Sequence, residues 1–193
     1  MNEFVLYFKM GLHHVLDIKA YDHLLFLIVL AVVFSVNQWK KVLWLVTFFT
    51  LGHSVTLILA AYGVLKFRID IIEFLIPLTI FITGVVNIIG FQKTFSKKEN
   101  INLFFALFFG SIHGLGFSNY FRMMIGRSNN KLMPLIEFAL GIEIAQIIIV
   151  IAILLIGLFL QRFMKVSKRD WILVVSAIVI GFSLSMMMER VFW

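Results

Sequence analysis

Residues 132–161 read LMPLIEFALGIEIAQIIIVIAILLIGLFLQ, and the only charged side chains among them are Glu137 and Glu143. A helix crosses the hydrocarbon of a bilayer with about 20 mostly apolar residues, so this stretch is expected to span. The pattern repeats along the chain. Comparable stretches lie at roughly 21–38, 41–63, 72–92, 101–124 and 170–192, joined by the short polar connections NQWKK, KFRID, KTFSKKEN, GRSNNK and KVSKRD. The sequence as a whole agrees, with 62% hydrophobic and 14% charged residues and a mean hydropathy of +1.03. Soluble domains average roughly 45–50% apolar and about 25% charged. Lipid must therefore cover much of the apolar surface.

The expected fold is all-α: a polytopic six-transmembrane-helix bundle forming one domain over residues 1–193. Its first residues, MNEFVLYFKMGLHHVLD, are expected to form a short interfacial or re-entrant segment. Glu3 and Lys9 and the lack of an A-x-A-like site argue against a signal peptide. No cysteine is present, which removes thiolate metal sites and thiol nucleophiles. The net charge of +7 comes from basic residues flanking apolar runs, so the expected partner is the lipid bilayer and no nucleic acid. Lys40, Lys41, Lys93, Lys97, Lys98, Arg162, Lys165, Lys168 and Arg169 narrowly outnumber Lys9, Lys19, Lys66, Arg68, Arg122, Arg127, Lys131 and Arg190 on the other side. That bias places both termini outside. Gly110 and Gly114 form a small-xxx-small pair suited to close helix contact.

Ionisable groups inside a span are costly, about 2.5–3.5 kcal/mol for a mid-helix Asp, so their depths are informative. With about 1.5 Å of rise per residue, Asp22 and His23 open the first span, while His53, His113 and Glu143 sit deep in the second, fourth and fifth. All fall in the half of the membrane that faces the same aqueous side as His14. Supporting polar groups are Asp17, Ser54, Glu73, Asn87 and Gln146. No Lys or Arg lies mid-span to pair with these carboxylates. They must be protonated, bonded to histidine, or bound to an ion. A mixed imidazole and carboxylate set suits a borderline divalent ion, and the spacing alone does not select one.

Five stretches resemble, in order, the HupE/UreJ family of hydrogenase and urease accessory membrane proteins: GLHHVLDIKAYDHLLFL, TFFTLGHSVTLILA, IEFLIPLTIFITGVVN, FFGSIHGLGFSNYF and EFALGIEIAQ. The resemblance implies a six-helix protein of the bacterial inner membrane that handles nickel or cobalt, and it marks His14, Asp22 and His23 as a metal-handling element. The gap between His14 and Asp22 is longer than the family's, as though LDIKAYDH carried a small insertion. The final span carries no signature.

The leading expectation is transport or binding of a divalent ion (nickel first, cobalt or zinc next) through His14, Asp22, His23, His53, His113 and Glu143. The alternatives are a zinc-dependent intramembrane hydrolase built on the same groups, or an accessory subunit without activity of its own. A blind, water-filled cavity beside one tightly held ion would favour the hydrolase, and a route or gate to the other face would favour the transporter.

Overall fold

The computed structural model describes residues 2–17, 21–65, 67–90, 99–125 and 131–193. Lys19, Lys66, Lys93, Lys97, Lys98 and Arg127 of the charge comparison lie outside the described residues, as does the end of the expected 72–92 span. Among the described residues the chain is helical throughout, without strands: α1 (Glu3–Leu16), α2 (Asp22–Ala31), a 3-10 turn (Val36–Gln38), α3 (Trp39–Ala61), α4 (Ile69–Ile88), α5 (Glu99–Ile125), α6 (Leu132–Phe163) and α7 (Lys168–Glu189).

Four segments are long and apolar enough to cross a membrane: Val36–Ala61, Ile69–Ile88, Leu132–Phe163 and Lys168–Glu189. They match four of the six expected spans. A fifth helix, α5, has 27 residues and packs along α3. The expected first span, 21–38, is different. Its helix α2 holds ten residues, about 15 Å, or half the hydrocarbon thickness. The break follows from Ser35 and Gln38: the Gln38 side-chain oxygen accepts the Ser35 backbone N–H at 3.2 Å. That turn starts a new helix within an apolar run.

A helix that stops inside a bundle leaves carbonyls without partners. Asn87 of α4 supplies one, its Nδ2 donating to the Val29 carbonyl at 2.7 Å. The expected N-terminal segment is α1, a full helix packed against α6. The two backbones touch where a Cβ on Gly11 would overlap the Phe138 carbonyl and one on Gly141 the Phe8 carbonyl. Gly110 and Gly114 act as their spacing predicts, sitting against the Phe49 and His53 carbonyls, and Gly52 faces the Leu107 carbonyl. Such contact fixes α3 on α5 with little freedom to slide. Because α1 ends beside α2's start, it runs toward the site described next.

Candidate metal site

Three helices end or pass at one level and each brings an imidazole there: His14 from the last turn of α1, His23 from the first turn of α2, and His53 from within α3. One ligand nitrogen from each lies within 4.8 Å of the others. Their ring centroids are 4.6 Å apart for His14–His23 and 5.6 Å for the other two pairs. His53 is fully buried with neither ring nitrogen hydrogen-bonded, and the buried Nε2 atoms of His14 and His23 are also without partners.

An unpaired buried nitrogen costs roughly 1–3 kcal/mol, so several in one place call for a shared ligand. Burial, and secondarily the neighbouring His23, holds His14 well below its ordinary protonation range, which leaves it neutral and able to donate a lone pair.

Asp22 contacts His23 directly. Its Oδ1 accepts the His23 backbone N–H at 2.8 Å and lies 3.0 Å from His23 Nδ1. A carboxylate on Nδ1 fixes the tautomer that leaves Nε2 free to coordinate, the arrangement by which metal-bound histidines are commonly oriented.

His113 stands next to this group, 5.2 Å from His23 between ring centroids, with Nε2 at 3.2 Å from Thr79 Oγ1 and Nδ1 unpaired. It lies beyond the 4.8 Å trio. Glu143 is not drawn in: it accepts a 2.6 Å hydrogen bond from Thr47, six residues and about 9 Å along α3 from His53. Gln146 accepts from Thr50 at 2.9 Å beside it, and its Nε2 is unpaired. The carboxylate and the imidazoles thus form two polar layers where the sequence suggested one. Ser54 Oγ is buried and unpaired near His53, and Asn87 is occupied with Val29 and, at 3.4 Å, Ser176.

A cavity of about 990 Å³ is lined by His14 and His23 of the trio, by Asp22 and His113, and by Asp17, Glu73, Tyr120 and Arg190, whereas His53 does not line it. One turn from His23 and His53, Phe26 and Phe49 stack at 4.8 Å with no exposed surface. His13 and Arg190 are lining residues that sequence reasoning passed over. His13 adjoins a histidine already chosen, and Arg190 belongs to a helix without any motif.

The profile described as "HupE / UreJ protein" matches residues 1–190. The chain belongs to the HupE/UreJ family. No curated protein and no solved structure matches it. The family match takes in α7 as well as the five motif stretches, so the helix that carries Arg190 is part of the HupE/UreJ unit.

Proposed function

We propose that this protein binds a divalent transition-metal ion, nickel first with cobalt or zinc next, at His14, His23 and His53 and carries it through the membrane. One observation carries the reading: three imidazole nitrogens within 4.8 Å of one another, on three different helices, in a buried setting without protein partners. Neutral imidazoles suit borderline ions over hard ones. Among the described residues the cavity lining holds the carboxyl groups of Asp17, Asp22 and Glu73 and the guanidinium of Arg190. His113, and Glu143 in the deeper layer, are the next groups for an ion that leaves the trio.

The test is calorimetric titration of the purified protein with Ni²⁺, paired with uptake into proteoliposomes. Wild type should bind one ion and accumulate it, and His23→Ala and His53→Ala should do neither. Equal binding by these folded variants would overturn the reading. A second reading, the metal-dependent hydrolase, is favoured by one feature: three protein ligands leave a position open for water. Tight Zn²⁺ binding with no uptake would select it.

A further inference from the structure

Among the described residues, the one guanidinium lining the cavity comes from the end of the last helix, and its surroundings trace back to a proline. Pro77 lies inside α4. Proline has no N–H, so the carbonyl four residues earlier, that of Glu73, loses its helical donor. Arg190 Nη1 approaches that carbonyl at 3.4 Å. The same nitrogen is 3.8 Å from Asp22 Oδ2. The two oxygens of Asp22 therefore serve different partners: Oδ1 holds His23, and Oδ2 faces the arginine.

We infer that Arg190 sets the ion preference of the proposed site by occupying Asp22 Oδ2 and so keeping that carboxylate out of the ion's coordination shell. The inference rests on the metal-binding reading above. With Asp22 confined to orienting His23, the donors offered to an ion are neutral imidazoles. These favour nickel, cobalt, zinc and copper over manganese, magnesium and calcium, whose preferred donors are carboxylate and carbonyl oxygens. Asp22 borders His23 directly, so freeing Oδ2 puts a hard anionic donor beside the trio. Arg190 is a positioning residue: it acts through Asp22 and is not itself a ligand.

A bare electrostatic role makes a different prediction. Removing a positive charge near a cation site strengthens binding of every divalent ion alike and leaves their ratio unchanged. Only a new oxygen ligand moves the ratio. The experiment compares Ni²⁺ affinity from calorimetry with Mn²⁺ affinity from loss of the free Mn²⁺ electron paramagnetic resonance signal, on full-length protein in nanodiscs. In Arg190→Gln the preference for Ni²⁺ over Mn²⁺ should fall by about tenfold or more, in line with the effect of altering groups one step removed from a metal.

Pro77→Ala restores a donor to the Glu73 carbonyl within the helix and loosens Arg190 without disturbing the fold. It should move the ratio the same way by a smaller factor. The double variant Asp22→Asn/Arg190→Gln should show the same ratio as Asp22→Asn alone, because the carboxylate responsible is gone. An unchanged ratio in both Arg190→Gln and Pro77→Ala, or a further fall when Arg190→Gln is added to Asp22→Asn, overturns the inference while Ni²⁺ binding itself stands. Absence of Ni²⁺ binding in wild type removes this inference and the metal-binding reading together.

Discussion

His53 and Asp22 show how much turns on single atoms. A buried histidine in a helix bundle ordinarily finds a hydroxyl or carbonyl, as His113 does with Thr79 at 3.2 Å. His53 has two buried ring nitrogens and no such partner. Asp22 is bound to His23 through one oxygen, so its substitution tests orientation and not ligand loss. Asp22→Asn keeps the shape but presents either an amide N–H or a weaker acceptor to Nδ1, and the tautomer is no longer fixed. Ni²⁺ affinity in calorimetry should drop by about 10–100-fold, the range seen when such supporting groups are changed, with secondary structure by circular dichroism unchanged. A drop as complete as that of His53→Ala would make Asp22 a direct ligand instead.

At the scale of helices, the site depends on contacts that keep α3 and α5 nearly backbone to backbone. A Cβ at Gly114 would meet both the His53 carbonyl and Thr56 Oγ1, whereas one at Gly181 in α7 would meet nothing within 4 Å. Gly114→Ala should therefore push the helices apart, cost about 1–3 kcal/mol in the manner of overpacked cores, and move His53 away from its partners. Gly181→Ala should be neutral or stabilising by up to about 1 kcal/mol, since alanine favours helix over glycine. Thermal unfolding in detergent with and without Ni²⁺ separates them: the first variant should lose stability and metal protection together, the second neither. The Gly110–Gly114 pair was legible because its four-residue spacing sits within one helix. Gly11 and Gly141 were not, since each is a lone glycine whose partner lies 130 positions away. The short α2 was equally hidden. Its apolar run continues through Phe34, and only the Ser35–Gln38 side-chain contact shows where the helix stops.

Across the whole molecule, the membrane class and the shared level of the histidines could be read from the sequence, because hydropathy and helical rise are both additive along a chain. What could not be read is which face of each helix turns inward and which polar pairs form across helices. Glu143 is the instructive case. Depth placed it with the histidines, yet Thr47 takes it at 2.6 Å, and Thr50 takes Gln146 beside it, in a layer about 9 Å further along α3. The buried, stacked Phe26 and Phe49 lie one turn from His23 and His53, and on the transport reading an ion leaving His14, His23 and His53 for the carboxylate passes that pair. On the transport reading, binding and passage are then separable: the trio captures, and Glu143 receives the ion or a counter-moving proton. Glu143→Gln keeps the hydrogen bond to Thr47 through its amide oxygen but removes the group that can take up or release a proton. It should leave Ni²⁺ affinity at the trio within about threefold of wild type, the ordinary context-dependent spread of a distant site, while abolishing uptake into proteoliposomes. Uptake at the wild-type rate would place the exit elsewhere. Loss of binding together with uptake would mean that the two layers act as one site despite their separation along α3.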